Sequence, residues 1–501
     1  MMRTYLVQSN PTVGAIDQNL RGILKKIEAA RAMGAELVVF PELALSGAPL
    51  NDLLFHQDIV MACEKALLEI AAASHSITVV VGSPGTDGHS VFDGAILFYN
   101  GEEVGRQHDV CWRWEVGGKR LGVIIGEGGL EDFSEQADMI IHLAASPWSP
   151  GVEENRRTTV GHRAHTLRLP YLFVNLCGGN DGWIFDGGSF LCNAEGNVVF
   201  QAPSFREYAG IVGEGEIASI ISPLQQVREA IVLGIRDFFA KQQISDALIG
   251  LSGGIDSSVV ATLASLALGP SHVHGVLLPS KWTTLESITG AQALCQNLGI
   301  SMRTIPIEQI VDSASGALTN VGVSLTGLAA ENIQPRSRSL ILMALANTEG
   351  AFVLGTSNKS EIALGYATLY GDLCGALLPI GDLFKTEVYE LASHLNEEKE
   401  LIPTTILQRA PTAELRSGQK DTDDLPEYTV LDPVLRLLLL EGSSLEEVSA
   451  QTGMRLSTVR SLAQRIMQFE FKRRQAPCIL RLSPKAFGTE IVYPIVNRWY
   501  L

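Results

Sequence analysis

Residues 247–257 read A-L-I-G-L-S-G-G-I-D-S, and the helical run V-V-A-T-L-A-S-L-A-L-G begins at Val259. Ala247 to Leu251 have the composition of a buried strand, the glycines at 253 and 254 release the backbone into a tight loop, and the helix follows at once. Further strand patterns come at Val273–Leu278 and Phe352–Leu354. Strand, glycine loop, helix, strand is the opening of a doubly wound parallel sheet. Just upstream, S-P-L-Q-Q-V-R-E-A-I-V-L-G-I-R-D-F-F-A reads as a helix with Pro223 in its first turn. Beyond about residue 400 the pattern is mostly helical.

Ahead of this region the grammar differs. Short β-branched runs at Tyr5–Val7, Leu37–Phe40, Ile77–Val81, Leu121–Ile125, Met139–Leu143 and Tyr171–Asn175 alternate with helical patterns. One of these is N-L-R-G-I-L-K-K-I-E-A-A-R-A-M-G, where Leu20, Ile23, Leu24 and Ile27 share a face and Gly34 closes the helix. From Asp186 the strands come without helices, with Glu195-Gly196-Asn197 as a hairpin turn. Two α/β domains are expected, 1–218 and 219–501.

The chain has 501 residues, 46% of them hydrophobic and 19% charged, with a formal net charge of −17. That balance argues against a coat for nucleic acid or anionic membrane, so any anionic ligand must be held by local groups. The seven cysteines, Cys63, Cys111, Cys177, Cys192, Cys295, Cys374 and Cys478, never form a C-x-x-C pair, which reads as reduced thiols in a cytoplasmic protein. No apolar run approaches membrane-spanning length.

Chemically the sharpest stretch is Gly250, Leu251, Ser252, Gly253, Gly254, Ile255, Asp256 and Ser257. Glycines let amides face inward, the serines add hydroxyls, and the next helix turns its positive end toward the loop. No G-K-[ST] occurs in the chain, so this is not a Walker A loop. It suits pyrophosphate, with Asp256 beside it to hold Mg²⁺. The full S-G-G-I-D-S resembles the pyrophosphatase-loop ATPases that adenylylate a substrate. V-L-G-T-S-N-K-S-E-I-A-L-G-Y-A-T-L-Y-G-D-L (353–373), E-N-I-Q-P-R-S-R (331–338), K-R-R-Q-A-P (472–477) and S-P-K-A-F-G (483–488) resemble the NAD synthetases among them.

That resemblance implies roles. The loop, Thr356 and Arg336 or Arg338 would bind ATP; Asp256 and Glu361 would hold Mg²⁺. Lys385 and Thr412 would steady the leaving pyrophosphate. Asn332, Glu361, Asp372 and Lys472 would hold deamido-NAD, whose carboxylate attacks ATP before ammonia displaces AMP. Taken one at a time, Lys359, Lys385 and Lys472 read as solvated surface lysines. S-L-E-E-V-S-A-Q-T-G-M-R-L-S-T-V-R-S-L (444–462), broken at Gly453, has the outline of a helix-turn-helix DNA reader, yet equally of closing helices in an acidic synthetase.

In the first domain F-P-E-L-A-L-S-G (40–47), V-F-D-G-A-I-L-F and A-A-S-P-W resemble the nitrilase superfamily, and an αββα sandwich is the fold this implies. Glu42 stands where that family's general base would be. The strand-end cysteine is replaced in I-I-G-E-G-G, leaving Gly126 and Glu127. G-R-Q-H-D-V runs straight into C-W-R-W-E-V where a lysine-bearing loop would lie, and beyond Ser146 the expected glutamine-binding lysine is Val152. A lost glutaminase site is expected, with free ammonia or a separate ammonia-supplying protein as nitrogen source. The resemblance further implies a homo-oligomer built on dimers. A different adenylylating enzyme acting on tRNA and a non-catalytic scaffold are the competing classes.

Overall fold

The computed structural model describes residues 2–86, 91–107, 111–116, 118–126, 137–214, 217–416, 418–419, 421–423 and 425–499. The chain divides into two compact units, Met1–Ser222 and Pro223–Leu501.

The first unit runs β1 (Thr4–Gln8), α1 (Ile16–Ala32), β2 (Leu37–Val39), α2 (Gln57–Ala73), β3 (Thr78–Thr86), β4 (Val91–Tyr99), β5 (Glu102–Gln107), β6 (Cys111–Val116), β7 (Lys119–Ile125) and β8 (Met139–Ala144). It continues with α3 (Val152–Leu167), β9 (Tyr171–Asn175), β10 (Cys177–Asn180), β11 (Trp183–Asp186), β12 (Phe190–Cys192), β13 (Val198–Gln201) and β14 (Tyr208–Ile211). Two six-stranded sheets result, ordered β14-β1-β2-β3-β4-β5 and β13-β12-β9-β8-β7-β6. In each, three central strands are parallel and the flanks antiparallel.

The two-residue period of a strand decides which side each residue serves. Leu37, Val39, Val80 and Leu97 face Leu121, Val123, Ile141 and Val174 across the inter-sheet core. Val38, Val79 and Ile96 point outward, under Leu20, Ile23 and Ile27 of α1 and Leu67 and Ile70 of α2. On the other sheet Ile140, Tyr171 and Phe173 meet Val160 and Ala164 of α3. The architecture is the expected αββα sandwich.

The second unit runs α4 (Pro223–Lys241), β15 (Ala247–Leu251), α5 (Ile255–Leu268), β16 (Val273–Leu277), α6 (Leu285–Leu298), β17 (Ser301–Thr304), α7 (Glu308–Thr319), α8 (Leu328–Glu349), β18 (Phe352–Leu354), α9 (Lys359–Leu364), β19 (Leu377–Leu378) and α10 (Lys385–Leu395). It ends with α11 (Thr404–Leu407), α12 (Tyr428–Arg436), α13 (Leu445–Thr452), α14 (Leu456–Gln468), α15 (Glu470–Arg473) and β20 (Cys478–Ile479). Its sheet is wholly parallel in the order β17-β16-β15-β18-β19-β20. The chain builds outward from β15 in one direction, then returns to β15's other side through β18. That reversal opens a crevice at the carboxyl ends of β15 and β18.

α5 is apolar nearly all round, as a fully enclosed helix must be, with Val259, Val260, Ala261, Leu263 and Ala264 buried. α13 and α14 meet at Gly453, whose φ of +70° closes α13. Their apolar faces, Leu445, Val448, Val459, Leu462 and Ile466, join one core with Ile362 and Leu364 of α9. The 444–462 stretch is therefore a packing corner against the site-bearing helix. Among the described residues no helix is long and apolar enough to cross a membrane.

Candidate functional site

β15 delivers its last residue, Leu251, into the loop Ser252–Gly254, and α5 starts at Ile255 with Gly254 as its N-cap. Gly253 has φ +74°, and a Cβ there would lie 2.3 Å from the Ser287 carbonyl oxygen on α6, so both conformation and space demand glycine. Gly254 N donates to Ser252 Oγ at 3.1 Å, and the Ser252 and Ser257 hydroxyls are 3.1 Å apart. A cleft of about 1010 Å³ opens over this loop. Its wall includes Gly250, Leu251, Ser252, Gly254, Ile255, Asp256 and Ser257, while Gly253 faces α6 instead.

Three helix starts meet there. Asp256 lies in the first turn of α5, Glu361 in the first turn of α9, and Lys385 opens α10. Lys385 Nζ is bonded to Asp256 Oδ2 and stands 3.4 Å from Glu361 Oε1, although 129 positions separate Lys385 from Asp256. A buried ammonium at a helix N-terminus is opposed by desolvation and by the helix dipole. Burial does lower the Lys385 pKa, but Asp256 and Glu361 outweigh it and hold it above the ordinary lysine value. Glu361 is pushed up to about 8, chiefly by burial, with Lys385 pulling the other way.

Residues not singled out in the sequence hold this cluster in place, and Tyr366 and Asp421 among them line the cleft. Asn358 caps α9, accepting from Glu361 N at 3.1 Å, and its Nδ2 donates to Asp256 Oδ1 at 2.9 Å. An Asn three residues before a Glu is a legible capping signature; the reach to Asp256 has no local signal. Asp421, raised by burial, accepts from Tyr428 Oη at 3.1 Å and Tyr366 Oη at 3.4 Å. Lys385 Nζ lies 5.4 Å from the centre of the Tyr428 ring.

Farther along the cleft Thr368 ties two of the expected dinucleotide residues together. Its Oγ1 donates to Asn332 Oδ1 at 2.9 Å and its N to Asp372 Oδ1 at 2.6 Å. Burial raises the Asp372 carboxyl. Lys472 Nζ donates to the carbonyls of Gly365 and Ala367, both at 2.7 Å, and burial lowers its pKa. Arg336 Nε bonds Leu369 O at 3.1 Å and Arg338 Nε bonds Leu278 O at 2.9 Å. Thr356, Arg336, Arg338, Asn332, Asp372, Lys472 and Thr412 all line the same cleft.

The lysines correct one expectation. None is a solvated surface residue: Lys385 is buried and Lys472 half-buried. Lys359 has no exposure, with its Nζ 2.6 Å from Asp382 Oδ1, 2.9 Å from Ser483 Oγ and 2.7 Å from Lys485 O. The buried charge is fully bonded, which is the condition for burying it. It braces α9, two residues ahead of Glu361, against S-P-K-A-F-G.

In the first unit β7 ends at Ile125 and Gly126 follows with φ +67° and, among the described residues, nothing within 4 Å of where a Cβ would be. Glu127 lies outside the described residues. Around it, Ala145 N donates to Glu42 Oε2 at 2.8 Å, and His142 Nε2 is 2.7 Å from Gly126 O. Burial pushes the His142 pKa down to about 4, so the ring is neutral. Ser146 Oγ accepts from Arg156 Nε at 3.1 Å, and Arg156 pairs with Asp186 at 2.7 Å. Val152 opens α3. Cys177 is buried, and burial lifts the Cys63 and Cys192 thiols to about 11.

Comparison with known proteins places these two regions. The family described as NAD synthase matches residues 227–476, and the family described as carbon-nitrogen hydrolase matches residues 4–144. A glutamine-dependent NAD(+) synthetase from Synechocystis sp. is 36% identical over 556 residues, spanning 100% of this chain and 99% of the relative. One from Thermotoga maritima is 33% identical over 571 residues, spanning 99% of each. The solved structure of the glutamine-dependent NAD+ synthetase from Acinetobacter baumannii, in complex with adenosine diphosphate, superimposes with a TM-score of 0.77 at 29% identity, covering 99% of both chains.

Proposed function

The chain belongs to the NAD(+) synthetases that carry a carbon-nitrogen hydrolase domain ahead of the synthase domain, and on that premise we propose its reaction, its site residues and its nitrogen donor. It is a ligase forming a C–N bond. In the proposed reaction deamido-NAD, ATP and ammonia give NAD, AMP and pyrophosphate. The observation that carries this is the meeting of Asp256, Glu361 and Lys385 beside the Ser252–Gly254 loop, at the topological switch of a parallel sheet.

The nicotinate carboxylate oxygen attacks the α-phosphorus of ATP, and the bond to pyrophosphate breaks. The loop amides, Ser252, Ser257 and the α5 N-terminus hold the departing phosphates, and Lys385, kept charged by its two carboxylates, balances the charge that collects there. Thr412, whose hydroxyl bonds Gln419 O at 2.6 Å, steadies the same end. Asn332, Asp372 and Lys472 hold the dinucleotide, and Thr356 with Arg336 or Arg338 contacts ATP. Ammonia then attacks the acyl carbon, loses a proton and displaces AMP. Closing out water protects that intermediate.

Asp256 and Glu361 are hard oxygen donors at the phosphate loop, which suits Mg²⁺, an ion usually held by one or two carboxylates and the substrate's phosphates. Among the described residues no three or more His, Cys, Asp or Glu side chains form a metal site by themselves. Bound there, Mg²⁺ would neutralise phosphate charge.

We further propose free ammonia as the donor. Gly126 offers no nucleophile where a thiolate is required, and Val152 replaces a lysine. The alignment with the Synechocystis relative runs over 556 residues against the 501 of this chain, room for the loss of a loop. The relatives' glutamine dependence favours a second reading, in which glutamine is still the source, through a rebuilt site in this chain or a separate protein that supplies the ammonia. Purified protein given ATP, Mg²⁺ and deamido-NAD should form NAD with ammonium chloride and far less with glutamine. Equal turnover on glutamine, abolished by Glu42→Ala, would overturn the ammonia reading. A homo-oligomer built on dimers, functional boundaries at 1–218 and 219–501, and a cytoplasmic setting for its unpaired thiols belong to the same proposal; sedimentation tests the first.

A further inference from the structure

Among the cations of the cleft wall that this reaction leaves unused, Arg409 stands nearest the phosphate loop's neighbour Ser287 in its bonding. Arg409 follows α11 and lines the cleft with Ser287, Thr412 and Glu414. Its guanidinium donates to Ser287 Oγ, to Thr284 Oγ1 at 3.1 Å and to Glu414 Oε1 at 2.6 Å. The same carboxylate oxygen accepts from Thr284 Oγ1 and Ser287 Oγ, each at 2.9 Å. Four side chains thus close a ring at the start of α6, whose N-cap is Thr284.

The ring abuts the phosphate loop, since the Ser287 backbone is what Gly253 packs against. Glu414 is held with φ +49°, a conformation that non-glycine residues adopt at a cost and that collects at functional sites. Its N donates to Thr412 Oγ1 at 3.3 Å, which couples the ring to the proposed pyrophosphate contact. A planar guanidinium matches paired phosphate oxygens better than it matches one shared carboxylate oxygen.

We infer that Arg409 is a pyrophosphate-binding residue gated by Glu414. It leaves the Glu414 carboxylate for the pyrophosphate that forms in the loop, and Glu414 recaptures it when the product departs. The identity of the anion rests on the synthetase reading above; the ring itself does not.

A ring that only braces residues 409–416 against α6 makes a different forecast. Loss of either charge would then loosen the brace and harm binding alike. Competition between Glu414 and pyrophosphate makes the two losses act with opposite sign. The test titrates inorganic pyrophosphate, with Mg²⁺, into the full-length protein by calorimetry and follows its inhibition of AMP release. Arg409→Gln should weaken pyrophosphate about tenfold or more, Arg409→Lys less, and Glu414→Gln should tighten it by about threefold. Unchanged affinity in Arg409→Gln, or weakening in Glu414→Gln, overturns the inference. Should Arg409→Gln fail to fold, Arg409→Lys and Glu414→Gln still carry the sign. Opposite signs in a protein that forms no NAD would uphold Arg409 and sink the synthetase reading; NAD formation with unaltered pyrophosphate affinity would do the reverse.

Discussion

Two strand ends in this molecule are built alike and furnished differently. β15 and β7 both release the chain close to glycine, and each unit holds a buried ion pair: Lys359 with Asp382 in the second unit, Arg156 with Asp186 in the first. At the end of β15 three helix starts bring Asp256, Glu361 and Lys385 together. At the end of β7 stands Gly126, its carbonyl bonded by His142 and, among the described residues, no atom within 4 Å of a prospective Cβ. The residues that support a site and those that react in it are different residues. On the proposed ammonia reading, the first unit would keep the supporting residues, and the stability they provide, without the reacting ones.

The widest gap between the two ends should be functional. Asp256→Ala removes the carboxylate that holds both Lys385 and Asn358, and pyrophosphate release with ammonium should fall about 10³-fold or more. Glu42→Ala, at the other end, should leave the ammonium-driven rate within about twofold. A Glu42→Ala loss comparable to that of Asp256→Ala would erase the contrast.

Next in size are the two buried ion pairs. Lys359→Met strands Asp382 in a site without solvent, which should cost about 3–5 kcal/mol in urea unfolding, and Lys359→Met with Asp382→Leu should recover part of it. Because Lys359 precedes Ser360, whose hydroxyl accepts from Lys385 N at 3.0 Å, the single variant should also lose catalytic rate below its unfolding range. Arg156→Met should cost stability on a similar scale and leave the ammonium-driven rate intact.

How much was legible follows from how local each feature is. The phosphate loop is contiguous, so A-L-I-G-L-S-G-G-I-D-S announced the sheet, the loop and the helix together. Asp421 comes to the cleft from far along the chain with nothing near it in sequence to point there, and Arg409 was passed over although Thr412, three residues on, was read as a site residue. Lys359 read as a surface lysine because a charge is buried only with partners, and its partners lie at 382, 483 and 485. In the first unit the central parallel strands were plain from their β-branched runs. Of the antiparallel flanks, β12 and β13 were announced by the turn at Glu195-Gly196-Asn197, whereas β5, E-E-V-G-R-Q, has no alternation and only Val104 as apolar content to mark it.

A smaller effect separates the two ends by pH. Burial lowers the His142 pKa from 6.5 to about 4. Between those values the unfolded chain binds a proton that the folded one does not, so stability is full above about pH 6.5 and declines toward pH 4. The limit is on the order of 3 kcal/mol. Chemical unfolding of the first unit should show that slope, and His142→Gln should flatten it. An unchanged slope in the variant would move its origin to other groups.

The smallest effect bears most directly on the comparison. Gly126→Cys puts a thiol at the end of β7, where no atom of the described residues lies within 4 Å of a prospective Cβ but where φ is +67°. The side chain must adopt a left-handed backbone, at about 1–2 kcal/mol. That strain should appear as a slightly lower unfolding midpoint. On the proposed ammonia reading glutamate release from glutamine should stay at background, since that reading leaves the new thiol without an assisting lysine, and an unassisted thiol at neutral pH is a poor nucleophile. If Gly126→Cys alone hydrolyses glutamine, the remaining parts of that site are supplied by other residues, and the first strand end is a site one atom short of working.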